Sequence, residues 1–188
     1  MILQAYRHGI FPMAIDETGR IGWFSPDPRG ILPLDDRFHV GHGLRRRLRR
    51  NPFVVTVNRA FGEVMAGCAA CHGSTWISAE IIRAYGELHL QGHAHSVEAW
   101  MENRLAGGLY GVQLGGAFFG ESMFHRVTDA SKVALVALVE RLRSRGFQLL
   151  DVQWVTRHLQ QFGAYTIPRE EYLQRLAEAL RVPARFDP

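Results

Sequence analysis

The chain of 188 residues has one lysine, Lys132, and two cysteines, Cys68 and Cys71. Two cysteines are too few for a disulfide framework. With His72 they spell C-x-x-C-H, the string that attaches c-type haem, but the string closes an expected helix, Arg59 to Ala70, and is read as accidental. No apolar run approaches the ~20 residues of a membrane-spanning helix, and the opening MILQAYRHG lacks a signal-peptide core. A cytoplasmic protein without membrane contact is therefore expected. His89, His93 and His95 straddle Gly92 with no acid or thiolate at matching spacing, so no metal site is expected either. The scarcity of lysine leaves arginine to carry a net charge of +4, and the planar guanidinium suits phosphate.

What is present is an ordinary folded composition, 47% hydrophobic and 21% charged, on a chain long enough to bury a sizeable core. The most informative stretch runs from Gly107 to Gln153. Leu109–Leu114 and Ala117–Phe119 are apolar runs joined by Gly115 and Gly116, the glycine pair of a tight hairpin. Asp129 or Ser131 then caps a helix whose Val133, Leu135, Val136, Leu138, Val139 and Leu142 recur at helical spacing up to Gly146. A strand follows from Phe147 to Gln153. Within it Asp151 and Gln153 leave one face of the sheet roughly 7 Å apart. An unpaired polar group in a strand buried on both faces costs on the order of 2 kcal/mol, so both need partners. A structural network at a strand end is one reading. Glu121, set among Gly120, Ser122, Met123 and Phe124, supplies a second acid beside apolar side chains and favours a pocket.

Elsewhere, Ile2–His8 reads as a helix stopped by Gly9. Ile21–Ser25 and Gly30–Leu34 read as a hairpin in a small lobe ending near Asp35 and Asp36, giving expected domains of 1–36 and 37–188. A helix holding Arg45, Arg46, Arg47, Arg49 and Arg50 would turn Leu44 and Leu48 inward. With no acid between Arg37 and Arg50 to balance them, these arginines point to phosphate. Phe53–Val57 is a strand. Asn58 and Ser78 are expected helix caps, Asn103–Gly108 a turn, and Trp76 a loop residue able to stack on a base. Thr156 opens a short helix and Pro168 the last one, and the tail after Pro183 is expected to fray.

In order along the chain, AYRHGIFP, WFSPDPRG, LRRRLRR, TWIS, HAHSVEAW, GGLYGV, FFGESMF, DASKVAL, DVQ and FGAYTIPR resemble the leucyl/phenylalanyl-tRNA-protein transferase family over nearly the whole length. The resemblance implies an α+β fold, a small N-terminal lobe, shorter than usual here, before a domain like the GNAT acyltransferases, with a mixed sheet flanked by helices. It implies transfer of leucine or phenylalanine from aminoacyl-tRNA to the N-terminal amine of proteins that begin with Arg or Lys, marking them for degradation by the N-end rule. No metal or coenzyme is implied, and a monomer is expected. Carried over by position, Asp151 and Gln153 assist amide formation and Glu121 lies near the acceptor's N-terminus. Phe118, Met123, Leu135, Leu138, Leu142 and Leu150 form the side-chain pocket, and Trp76 lies beside the terminal adenosine. Met13-Ala14 and Val152 depart from the family's usual aromatics and cysteine.

An aminoacyl ester is already activated, so its chemistry needs a neutral amine, held geometry and little else. A flexible pocket containing Met123 should admit methionine as well. Two other classes remain open on the residues alone: a coenzyme A-dependent N-acetyltransferase, against which Thr128–Ser131 offers an acid in place of a glycine-rich loop, and a non-catalytic tRNA-binding domain, which would leave Glu121, Asp151 and Gln153 without a task.

Overall fold

The computed structural model describes residues 2–16, 18–50, 52–71 and 76–187. Helix α1 (Ile2–Arg7) is followed by strands β1 (Phe11–Ala14), β2 (Ile21–Phe24) and β3 (Arg29–Ile31). Then come α2 (His42–Arg50), β4 (Val54–Val57), α3 (Phe61–Ala70), α4 (Ala79–Leu90), β5 (Ala94–Met101), β6 (Arg104–Leu114) and β7 (Ala117–His125). The chain closes with α5 (Ala130–Ser144), β8 (Leu149–Gln153), α6 (Arg157–Gln160), β9 (Tyr165–Ile167) and α7 (Arg169–Ala179). Seven strands form one mixed sheet in the order β4-β5-β6-β7-β8-β3-β9. β7 and β8 run parallel, joined through α5, and the other pairings in this sheet are antiparallel. The class is α+β, as the sequence implies.

Alternation along β6 and β7 assigns each face of the sheet to different helices. Leu109, Phe118 and Leu150 pack with Leu135, Leu138 and Leu142 of α5. Tyr110 and Phe119 pack with Phe61 and Val64 of α3, Tyr85 of α4, and Tyr6 and Phe11 of the N-terminal segment. The Gly115 turn lies against the end of α7. A Cβ there would sit 2.6 Å from the Leu180 carbonyl oxygen, and its φ of +53° is one that glycine alone adopts freely.

Several expectations are corrected. β2 pairs with β1, not with the strand after Pro28, and β3 enters the large sheet between β8 and β9. All three β3 residues are buried, so the segment needs neighbours on both edges and cover on both faces, which a two-stranded lobe cannot give. The change from small sheet to large thus falls between Phe24 and Arg29, ahead of Asp35. The turn expected over Asn103–Gly108 is two residues, Glu102 and Asn103, both with positive φ (50° and 60°), a geometry that matches strand twist and frees 104–108 for β6. Asn58 caps no helix: α3 starts later, behind Ala60, and Asn58 accepts from the Ser96 N–H and reaches His95 and Asp187. Asp129 precedes α5 in left-handed backbone without a capping bond, its carboxylate 3.0 Å from Lys132. Pro168 stands just before α7 as its cap residue. The tail does not fray. Phe186 is fully buried against Phe118 and His95, and Gln113 bonds both the Ala184 carbonyl and the Phe186 N–H. The C-x-x-C-H string is only partly described: Cys68 is buried, with its thiol pushed up to about 12 by burial, Cys71 is exposed, and His72 lies outside the described residues.

Candidate active site

β7 and β8 are paired from Ala117/Leu149 to Phe119/Asp151 and no further. Beyond that point they part, and the gap is a cavity of about 460 Å³ lined by Gly120, Glu121, Ser122 and Met123 on one side and Val152, Gln153 and Trp154 on the other. The size falls in the ~300–1,000 Å³ range of small-molecule sites. Leu109, Leu135, Leu138 and Leu150 make its apolar wall on the α5 side, and Ser131, Trp76, Phe11 and Met13 also line it. Phe118 and Leu142, expected in this wall, are fully buried and do not line the cavity. They form the layer beneath it, where Phe118 is held by Phe147 and Phe186.

A bulge aims Glu121. Tyr110 pairs with Ser122 and Gly111 with Gly120, which leaves Glu121 as the extra residue, and such an insertion swings its side chain out of the alternating pattern. The Tyr6 hydroxyl donates to Glu121 Oε1 at 2.6 Å, the Tyr85 hydroxyl to Oε2 at 3.3 Å, and Gln153 Nε2 to Oε1 at 3.5 Å. Removal from water pushes the Glu121 carboxyl up to about 8, against the pull of the Tyr6 hydrogen bond. Burial, and then the Glu121 charge, raise the Tyr6, Tyr85 and Tyr110 phenols well above their usual range.

Asp151 has a different surrounding. It is fully buried, behind the cavity and not part of its lining. Arg29 grips it with Nε at 2.9 Å and Nη2 at 2.7 Å, the Tyr172 hydroxyl donates at 2.6 Å, and the Gln153 backbone N–H donates at 2.9 Å. That last bond holds Gln153 in left-handed backbone, φ +57°, a conformation costly for a non-glycine residue. The turn puts the Gln153 side chain beside Glu121 and Trp154 at the mouth, 45% exposed, edge-on to Phe11 at 5.3 Å. Gly30 makes this possible, since a Cβ there would meet the Trp154 carbonyl carbon at 2.8 Å.

The structure therefore brings Glu121, Gln153, Trp76, Met123, Leu135, Leu138 and Leu150 to one cavity, with Asp151 supporting it from behind. The arginines do not line it. On α2, Arg45, Arg46, Arg49 and Arg50 are exposed, while Arg47 is half-buried over the Phe53 ring at 5.7 Å. Leu48 borders Val133, Val136 and Ala137 of α5, positions facing away from Leu135 and Leu138. If this face meets RNA phosphates, Arg45→Ala with Arg46→Ala should lower the slope of log affinity for tRNA against log salt by about 0.7–0.9 for each phosphate no longer neutralised; filter binding across a salt series reads it.

Sequence reasoning missed Tyr6, Arg29, Tyr85, Tyr110, Trp154 and Tyr172. Tyr85 carried a local signal, an inward position on its helix, and Tyr6, Arg29 and Tyr110 lie within the strings AYRHGIFP, WFSPDPRG and GGLYGV, from which no role for them follows. Among the described residues no cluster of His, Cys, Asp and Glu could hold a metal ion, and none of the helices is long and apolar enough to cross a membrane.

The raised Glu121 acid has a stability consequence. Its proton is kept on folding at a pH where the unfolded chain has lost it, so the folded state loses relative stability as pH climbs from about 4.5 to about 8. Glu121→Gln should melt higher than the parent above pH 8, by an amount worth a few kcal/mol at most, and at about the same temperature near pH 4. Melting curves across that range read the difference, and a variant that gains nothing at high pH would contradict the burial of this charge.

An apolar chamber that ends at an amide and a reluctant acid suits an enzyme that hands an apolar acyl group to an amine: the acyl chain has a dry wall and the amine a polar floor. Comparison with known proteins is specific. Residues 31–177 match the Leucyl/phenylalanyl-tRNA protein transferase family, and residues 1–27 match that family's N-terminal domain. A protein of Salinibacter ruber named Leucyl/phenylalanyl-tRNA--protein transferase is 57% identical over 182 residues, covering 97% of this chain and 80% of that one. One of the same name from Akkermansia muciniphila is 56% identical over 182 residues, 96% and 94% of the two chains. The chain belongs to the leucyl/phenylalanyl-tRNA protein transferase family. Among solved structures, an aminoglycoside acetyltransferase from a soil metagenome, in complex with sisomicin, is similar at 12% identity and a TM-score of 0.47, over 70% of this chain and 89% of that one. A ribosomal-protein-alanine N-acetyltransferase from Brucella melitensis is similar at 13% identity and 0.43, over 58% and 86%.

Proposed function

We propose that the chain transfers leucine or phenylalanine from aminoacyl-tRNA to the N-terminal α-amine of a protein, with Arg or Lys as the accepting first residue. The observation that carries this reading is the position of the cavity, which joins an apolar wall on the α5 face to Glu121 and Gln153 where β7 and β8 part. The side chain of the transferred residue lies against Leu135, Leu138, Leu150 and Met123. The basic end of the acceptor lies toward Glu121, whose carboxylate it stabilises.

The amine nitrogen attacks the ester carbonyl carbon, the carbon–oxygen bond to the terminal ribose breaks, an amide forms, and the proton lost by the amine ends on the departing ribose hydroxyl. An α-amine has a reference pKa near 8, so a fraction is neutral at pH 7 and weak assistance suffices. Gln153 gives its amide N–H to Glu121, which leaves its carbonyl oxygen for the attacking amine. Asp151 acts at one remove, fixing the Gln153 backbone. Held geometry supplies most of the rate. Marking of the product for degradation is the biological outcome proposed.

Selectivity tests the reading. A methylene is worth only about 1–3 kcal/mol in an apolar pocket, and methionine adapts its shape. Leucyl-, phenylalanyl- and methionyl-tRNA should therefore donate to a peptide beginning with Arg, with valyl- and isoleucyl-tRNA much slower; equal transfer of all five would contradict the assignment of the wall.

A further inference from the structure

Four tyrosines are fully buried around the acids: Tyr6, Tyr85, Tyr110 and Tyr172. Tyr6 and Tyr85 donate to Glu121, and Tyr172 donates to Asp151. Tyr110 differs. Its hydroxyl is shut from solvent and has no hydrogen-bond partner among the described residues, although the residue lines the cavity. A buried hydroxyl without a partner is unfavourable relative to phenylalanine, which would fill the same space. The ring stands edge-on to Tyr85 at 5.8 Å and to Phe61 at 5.9 Å, on the strand that opposes the Glu121 bulge. It therefore belongs to the acid-bearing face of the sheet, opposite to Leu109 and the α5 wall.

We infer that the Tyr110 hydroxyl is an acceptor-binding group, left unpaired by the fold so that its oxygen can receive a hydrogen bond from the cationic first residue that Glu121 neutralises. This rests on the reading above that a protein N-terminus enters on the Glu121 side. Burial and the Glu121 charge keep the phenol protonated, so its oxygen stays neutral and available throughout the working pH range. An ammonium or guanidinium has donors to spare after meeting one carboxylate, and a hydrogen bond to a charged group is among the stronger kinds.

Tyr110→Phe is the test, because the two possible roles move its readouts apart. The inference expects a melting temperature equal to or above the parent's, a KM for an Arg-initiated peptide raised about ten- to a hundredfold, and an unchanged KM for leucyl-tRNA. Calorimetry of the peptide with each protein should show the same loss of affinity. If the parent transfers leucine and Tyr110→Phe binds the peptide equally well, the inference fails while the proposed function stands. A rise confined to the leucyl-tRNA KM would also overturn it, as would a fall in melting temperature with both substrates affected alike, which would make Tyr110 structural. A parent protein that neither binds the peptide nor transfers leucine would overturn the proposed function and this inference together.

Discussion

Arg29→Ala is expected to lower stability by about 3–5 kcal/mol, the range for removing one partner of a buried ion pair. Arg29 and Asp151 are both fully buried, so solvent does not screen the loss. The guanidinium also donates to the Gly9 carbonyl at 2.8 Å and lies over Tyr172 at 4.4 Å and Phe11 at 5.0 Å. Its removal strands the Asp151 charge and unties the N-terminal segment from β8 and α7 in one step. Urea unfolding measures this. Arg29→Met with Asp151→Leu should recover most of the stability, since an apolar pair avoids the desolvation of two ions. That double variant should stay inactive, because the Gln153 N–H would lose the carboxylate that holds it in left-handed backbone. A loss below about 1 kcal/mol for Arg29→Ala would mean that the pair does not hold this junction together.

The second large effect concerns the chamber. Leu138 is buried in α5 and lines the cavity, so Leu138→Trp fills the space that the proposed function gives to the transferred side chain. The fold has room for the larger ring, and the stability cost should remain within the ~1–3 kcal/mol of ordinary overpacking. Transfer of phenylalanine should fall about a hundredfold or more, the scale set by losing apolar burial together with reactive geometry. Leu142→Trp is the contrasting case. Leu142 is fully buried but outside the lining, so that variant should lose stability first, with activity following only through folding. Steady-state kinetics beside melting curves separates the two, and equal behaviour would contradict the placement of the wall.

How far the sequence reveals such a site depends on how local each determinant is. The Gly115–Gly116 turn and the helical spacing from Val133 to Leu142 are encoded within a few residues, and both stand as read. β7 runs well past its legible part, Ala117–Phe119, to His125, because the bulge at Glu121 breaks the alternation that marks a strand. The partner of β3 is β8, far along the chain, and nothing near Arg29 announces it. Arg29 and Tyr172 escape a reading of the sequence for the same reason: each acts on Asp151 from a distant element. The tail reads as unstructured because its ties are to distant elements: Phe186 inserts against Phe118 and Arg141, Gln113 bonds Ala184 and Phe186, and Asn58 bonds Asp187. Resemblance to a family places Gln153 and Glu121 at one site. The bulge, the strained Gln153 backbone and the tyrosines show how two ordinary polar residues are brought there.

The most direct test is single-turnover transfer of labelled leucine from leucyl-tRNA to a peptide that begins with Arg, using the parent and Gln153→Ala at matched folding. The account predicts one leucine amide-linked to the peptide's α-amine by the parent, and a rate lower by about a hundredfold or more for the variant. Unlabelled peptide after incubation with the parent, or a Gln153→Ala protein as fast as the parent, would contradict it.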